Sequence, residues 1–155
     1  MPVTPQISIR DLTRADKPEW QSLWAAYISF YKTALTPQMY DLAFERLLGK
    51  DKNECQGLLA TIDNKPVGLA HTLTHRHGWF EDRVVYLQDL FSAPEFRGKG
   101  IGRALIEEVY RRADIAGTPK VYWLTAKDNT GARRLYDTIA SETDFIKYQR
   151  PPFKK

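Results

Sequence analysis

At 155 residues, 43% apolar and 27% charged, the chain has the length of one domain, residues 1–155, and enough apolar side chains for a full core, which excludes disorder. No apolar run approaches the length of a membrane span, and Met1-Pro2-Val3-Thr4-Pro5-Gln6 lacks the basic-then-apolar plan of a secretory leader, so a cytoplasmic protein without a membrane partner is expected. The single cysteine, Cys55, excludes an internal disulfide and is read as a small buried residue, while a net charge of +4 scattered among acids suits a small polyanion better than a nucleic-acid track.

Ile7-Ser8-Ile9-Arg10 alternates apolar and polar and predicts an opening strand, with Thr13 and Asp16 in a turn able to cap a helix behind it. From Pro18, Trp20, Leu23, Trp24, Tyr27, Ile28 and Tyr31 recur at helical spacing. Thr36-Pro37 then starts a second helix that ends near Gly49. Leu58–Ile62 and Val67–Leu73 flank Asp63-Asn64-Lys65-Pro66 and predict a hairpin; after a connection at 77–82, Arg83–Phe91 predicts a third antiparallel strand.

Between that strand and the next helix lies Arg97-Gly98-Lys99-Gly100-Ile101-Gly102-Arg103. Glycine permits positive φ and close approach, and the first amides of a helix lack intrahelical partners, so the segment is an anion cradle. The helix behind it aligns Ile101, Leu105, Val109 and Ala113, carries the pairs Glu107–Arg111 and Glu108–Arg112 outside, and stops at Gly117-Thr118-Pro119. Val121–Thr125 predicts a strand, Asn129 begins and caps a helix through Ala132, Leu135 and Tyr136, and Phe145–Tyr148 predicts a closing strand. The expected order is βααβββαβαβ, a mixed α/β (α+β) fold.

Two familiar phosphate loops do not fit the cradle. A Walker loop needs a hydroxyl residue after Gly-Lys, where Gly100 stands; the dinucleotide fingerprint needs a glycine where Arg103 stands, within a first βαβ unit. His71 and His75 share a strand face, but zincin histidines sit on a helix with an intervening glutamate and no third ligand presents itself, so no metal is expected; each is either a base near the site or a partnered polar group.

Arg97-x-x-Gly100-x-Gly102 at a strand-to-helix junction, followed by Asn129 and Tyr136 on the next helix, resembles the GCN5-related N-acetyltransferase (GNAT) family. Tyr86-Leu87-Gln88-Asp89-Leu90-Phe91 is similar to the corresponding strand of its diamine acetyltransferases, and Asn129…Ala132-Arg133-Arg134-Leu135-Tyr136-Asp137 to its yeast Hpa2-like branch. Gln88 stands where the diamine enzymes carry glutamate, so polyamine specificity does not carry over. The resemblance implies a central, mostly antiparallel, splayed sheet flanked by helices. It also implies an acetyl-coenzyme A dependent transfer to a primary amine (small amine, amino acid or peptide) by direct attack in a ternary complex. A catalytically silent acyl-coenzyme A sensor is the alternative, and relatives are commonly dimers.

For this sequence the resemblance places the pyrophosphate at Arg97, Gly98, Lys99, Gly100, Ile101, Gly102 and Arg103. It places the pantetheine arm along the backbone of Leu90, Phe91 and Ser92, with Asn129 and Ala132 also at the coenzyme. Tyr136 is the expected general acid toward the thiolate sulfur. Asp89 stands where the acceptor amine arrives, with Gln88 beside it, and either holds an ammonium or relays its proton, or is a strand residue hydrogen-bonded to a neighbouring turn. Tyr27 and Tyr31, one turn apart, either line the acceptor pocket or pack as core with Trp20 and Trp24.

Overall fold

Two residues, Asp63 (φ 50°) and Asn64 (φ 64°), take consecutive left-handed conformations and reverse the chain between β2 (Gln56–Ile62) and β3 (Lys65–His75). Such a pair matches the right-handed twist of the flanking strands. The expected hairpin therefore forms, with a turn tighter than the four residues the sequence suggested. The structure is a computed structural model and describes residues 4–152. Two compact units, Met1–Leu124 and Thr125–Lys155, make up the chain.

In the first unit, β1 (Ile7–Asp11), β2, β3, β4 (Val84–Ser92) and β5 (Val121–Tyr122) lie side by side in chain order. All neighbours are antiparallel except β4 and β5, which run parallel and pair only at Val85–Val121 and Tyr86–Tyr122. The expected strand over 121–125 is thus cut to two residues, and Leu87–Ser92 of β4 extends beyond the β5 ladder. Between His71–Asp89 and Thr72–Leu87 the β3–β4 register slips by one, which leaves Gln88 as an extra residue, a β-bulge.

Alternation sorts the sheet's side chains onto two covers. Leu59, Leu69 and Phe91 pack with Trp20 of α1 (Lys17–Phe30) and Tyr40, Ala43 and Phe44 of α2 (Pro37–Leu48). Trp20, Phe44, Leu59 and Leu69 are wholly buried, and each side chain of this size contributes about 1.5–3 kcal/mol by leaving water. The opposite face receives α3 (Ile101–Ile115), whose Ile101, Leu105, Ile106, Val109 and Ala113 are buried as its periodicity requires. Gly68 admits this helix: a Cβ there would stand 2.7 Å from the Phe91 carbonyl oxygen and 2.8 Å from Ile101 Cγ2.

Local signals explain the helix starts. Thr36 accepts a hydrogen bond from the Met39 amide (3.2 Å) with Pro37 as the first helical residue of α2. Asp16 closes the turn before α1, accepting from the Thr13 amide at 2.7 Å and from both Arg10 terminal nitrogens at 2.7 and 2.8 Å. The Arg10 guanidinium, above all other causes, lowers the Asp16 carboxyl from 3.8 to about 2. On α3 the expected Glu108–Arg112 pair forms, whereas Arg111 also turns to Glu108 and Glu107 faces Arg103, which corrects the expected Glu107–Arg111 pair. Among the described residues no helix is long and apolar enough to cross a membrane.

The second unit contains α4 (Thr130–Ile139) and no strand among its described residues. Phe145–Tyr148 is a correction: Phe145, Ile146 and Tyr148 are 88%, 71% and 89% exposed and lie in no ladder. Strand propensity describes fit to a paired, half-buried surface, and without a paired edge it does not make a strand. The observed order is βααβββαβα.

Candidate active site

A buried carboxylate on β4 anchors the site. Asp89 is 9% exposed and pairs in register with His71, 3% exposed, on β3. His71 Nδ1 lies 2.8 Å from Asp89 Oδ2, and Trp24 Nε1 of α1 donates to the same oxygen at 3.2 Å. On the far side of the imidazole, Trp20 Nε1 donates to His71 Nε2 at 2.9 Å. An indole N–H can only donate, so Nε2 must accept, and the imidazole proton sits on Nδ1 and points at Asp89.

The aromatic stripe of α1 completes the surroundings. Trp24 stands edge-on to the His71 ring at 5.2 Å, and Tyr27 meets Tyr31 at 5.2 Å and Phe91 at 5.9 Å. Burial, and then the negative charge of Asp89, push the Tyr27 phenol far above its ordinary range, so Tyr27 is a neutral hydroxyl beside the carboxylate. Tyr31 is 52% exposed. Tyr27 therefore lies half-buried beside Asp89, with the exposed Tyr31 against it, which joins the two readings of this stripe: Trp20 belongs to the core, and Tyr27 faces the carboxylate. Gln88, the bulge residue, is exposed, with Cys55 Sγ 4.0 Å from its amide oxygen. Cys55 is half-buried rather than buried, and its thiol is pushed up by burial and then by the negative charges of Glu54 and Asp89.

At the end of β4 the chain passes Leu90, Phe91 and Ser92, makes a short 3-10 turn at Pro94–Phe96 and enters the glycine segment. Gly98 (φ 79°) and Gly100 (φ 84°) are left-handed, a conformation that costs other residues about 1–2 kcal/mol each. No atom lies within 4 Å of where their Cβ atoms would be, so both positions face open space. Gly100 is the N-cap of the 15-residue α3, with Ile101, Gly102 and Arg103 in its first turn. Arg97, Gly98 and Lys99 are exposed; Arg97 lies over the Phe91 ring at 5.9 Å and Lys99 over Phe96 at 5.2 Å. Free amides, a helix dipole and cations on one open loop suit a phosphate-bearing ligand. Phe91 touches both regions, Tyr27 on one side and Arg97 on the other.

In the second unit, Asn129 holds the N-cap position of α4 but does not cap it with its side chain. At φ −77° and ψ 65° its amide instead turns back to donate to Thr125 Oγ1 at 3.1 Å, which corrects the expected cap. Ala132 and Tyr136 are half-buried on α4, and Arg133 is engaged by the Lys127 carbonyl and Glu142.

A model of the acetyltransferase (GNAT) family matches residues 19–139. The chain belongs to the GNAT family. The D-amino-acid N-acetyltransferase HPA3 of Saccharomyces cerevisiae is 38% identical over 150 residues, covering 96% of this chain and 92% of that protein. A ribosomal-protein-alanine N-acetyltransferase from Brucella melitensis biovar Abortus superposes with a TM-score of 0.79 at 25% identity, over 94% of this chain and 99% of the other. AAC(6')-Iy in complex with the bisubstrate analogue CoA-S-monomethyl-acetylneamine shares the fold, with a TM-score of 0.81 at 21% identity over 96% and 99% of the two chains. As a GNAT member the protein is an enzyme, an N-acetyltransferase that moves an acetyl group to an amine.

Among the candidate residues of the first unit the structure brings Tyr27 against Asp89 and Phe91, Tyr31 against Tyr27, and Arg97 of the glycine segment over Phe91, with Gln88 next to Asp89 on β4. Sequence reasoning missed Trp20, Trp24 and His71 as parts of the site. Helical periodicity assigned both indoles to the core, and His71 had two readings and no identified partner. The available signal was a histidine and an aspartate on adjacent predicted antiparallel strands, a pairing that only the register can make.

Proposed function

We propose that the enzyme uses acetyl-coenzyme A to acetylate the amine of an amino acid, by direct attack in a ternary complex, as a single domain spanning residues 1–155. The observation that carries this reading is the buried, donor-fixed Asp89 carboxylate on the same strand that runs into the open, left-handed glycine loop. Gly98, Gly100, Ile101 and Gly102 offer main-chain amides to the pyrophosphate, with Arg97, Lys99 and Arg103 supplying charge. The backbone of Leu90, Phe91 and Ser92, beyond the reach of the two-residue β5 ladder, is available to pair with the pantetheine arm. Asn129 and Ala132 are assigned to the coenzyme by their place in the family motif.

Asp89 receives the acceptor's ammonium, with Tyr27, Tyr31 and Gln88 lining the approach. Once its proton has passed to Asp89 or through water to solvent, the neutral amine nitrogen bonds to the thioester carbonyl carbon. The C–S bond breaks, and Tyr136 gives its phenolic proton to the departing thiolate. The donor supplies the activated acetyl group; this chain's residues orient the two substrates and move protons. The relative named for D-amino acids supports an amino acid as acceptor, and the bisubstrate complex of a structural neighbour supports simultaneous occupancy. A cytoplasmic homodimer, with neither membrane nor nucleic-acid partner, completes the reading.

Thiol release from acetyl-coenzyme A, measured against D- and L-amino acids, polyamines, aminoglycosides and histone-tail peptides, tests the proposal. The highest kcat/KM is expected among the amino acids, D before L. Preference for a polyamine overturns the acceptor, and no turnover with any amine overturns the reading. Replacing Tyr136 with Phe lowers kcat with little change in coenzyme affinity; unchanged kcat removes it as the acid.

A further inference from the structure

The buried chain of ring nitrogens around Asp89 has a direction. Trp20 is wholly buried and its N–H has one role, so the hydrogen bonds run from Trp20 to His71 and from His71 to Asp89, with Trp24 joining at the same Oδ2. Both indole rings pack on the imidazole, Trp20 at 6.0 Å and Trp24 edge-on at 5.2 Å, which prevents the ring from turning over. A general base needs a free nitrogen lone pair near the substrate. The His71 lone pair is occupied by an indole proton, on the side away from Asp89.

We propose that His71, locked by Trp20, is a positioning residue that aims the Asp89 carboxylate at the acceptor amine and transfers no proton during turnover. The inference rests on the assignment of Asp89 to the amine. Two ring N–H groups converging on Oδ2 satisfy and immobilise that oxygen, so the carboxylate's rotation about its own axis is fixed before the acceptor arrives. Other ionisable groups near Asp89 are the Tyr27 hydroxyl from α1, the Tyr86 hydroxyl from β4 and the Cys55 thiol from the segment before β2. Each of these phenols and the thiol is raised from its ordinary range, so they surround the carboxylate as neutral groups; the Tyr27 hydroxyl also hydrogen-bonds to Asp89, alongside the ring N–H donors on Oδ2.

A glutamine side chain separates the roles. Its amide, like the neutral imidazole, offers an acceptor on one atom and N–H donation from another, but it does not take up a proton. With acetyl-coenzyme A and the best amine of the panel, His71→Leu should lower kcat/KM for the acceptor on the order of tenfold or more, the scale of a misplaced reacting group. The KM for acetyl-coenzyme A should hold, and His71→Gln should restore most of the loss. Equal damage in H71Q and H71L would mean that His71 must carry a proton, and no damage in either would mean that it positions nothing; both results overturn the proposal.

Nitrogen-15 NMR of the histidine side chains in the wild-type enzyme gives a readout that needs no variant to fold. His71 should show a protonated Nδ1 and a bare Nε2, and in Trp20→Phe the Nε2 signal should move as its hydrogen bond is lost while Nδ1 stays protonated against Asp89. The opposite tautomer, or a doubly protonated ring at neutral pH, overturns the proposal as well. Asp89→Asn separates this inference from the reading beneath it: if D89N leaves acceptor kinetics intact, both fall. If D89N is damaged and H71L is not, the inference alone falls.

Discussion

The glycine loop and the Asp89 cluster lie at the end and in the middle of the same stretch of chain, yet they are built in opposite ways. The loop is exposed, continuous in sequence and shaped by backbone conformation at Gly98 and Gly100. The cluster is buried, assembled from residues 20, 24, 27, 71 and 89, and shaped by side-chain hydrogen bonds across α1, β3 and β4. In the proposed function a ligand of fixed chemistry, the coenzyme, is met by main-chain groups that any chain with those glycines supplies. An acceptor that differs between enzymes is met, on the same reading, by side chains drawn from several elements. If that reading holds, donor and acceptor recognition are separable here, and substitutions should divide by which region they touch.

The largest break is expected from Asp89→Asn. An amide cannot hold an ammonium as a carboxylate does, and a hydrogen bond to a charged group is worth about 1.5–3 kcal/mol. The kcat/KM for the acceptor should fall by roughly ten- to a hundredfold with coenzyme affinity unchanged, read by steady-state kinetics and calorimetric titration of coenzyme A. Gly68→Ala strikes both regions together, since the new Cβ meets the Phe91 carbonyl and the first turn of α3. Overpacking of this kind costs about 1–3 kcal/mol, seen as a lower denaturation midpoint, with losses for both substrates.

Gly100→Ala should divide the regions from the other side. Left-handed backbone without glycine costs about 1–2 kcal/mol, and coenzyme A affinity should weaken while acceptor KM is kept; an acceptor KM that rises in step would show that the regions are not separable. The smallest effect lies away from both, at Asp16. Its carboxyl is lowered in the folded chain from 3.8 to about 2 by Arg10, so its contribution to stability is present above the unfolded value and is lost as pH falls through about 4 toward 2. Asp16→Asn should flatten that segment of the stability profile in urea titrations and leave both KM values unchanged.

The same contrast explains how much of the molecule is legible in its sequence. Arg97, Gly98, Lys99, Gly100 and Gly102 announce their conformation locally, because glycine beside a helix start has few other uses. The α3 periodicity and the Thr36-Pro37 cap are likewise local, and both form as expected. His71 and Asp89 are eighteen positions apart and meet through a register that includes a bulge, and no period in the sequence encodes that meeting. Asn129 failed as a side-chain cap because its backbone leaves the extended conformation a cap adopts, at φ −77° and ψ 65°, and its amide is turned back to donate to Thr125. Phe145–Tyr148 failed as a strand because propensity says nothing about whether an edge is there to pair with.

Gln88 carries one more consequence. Strand residues before it face according to one count and those after it according to another, because the bulge absorbs a single position. Deleting residue 88 would close the bulge and leave Leu87 opposite Thr72 and Asp89 opposite His71 in an unbroken ladder. A one-residue deletion, which elsewhere in a strand turns one part of it over, is therefore expected to be tolerated at this position. What the bulge sets is the local bend and twist of β4 beside Asp89, not which face the carboxylate takes.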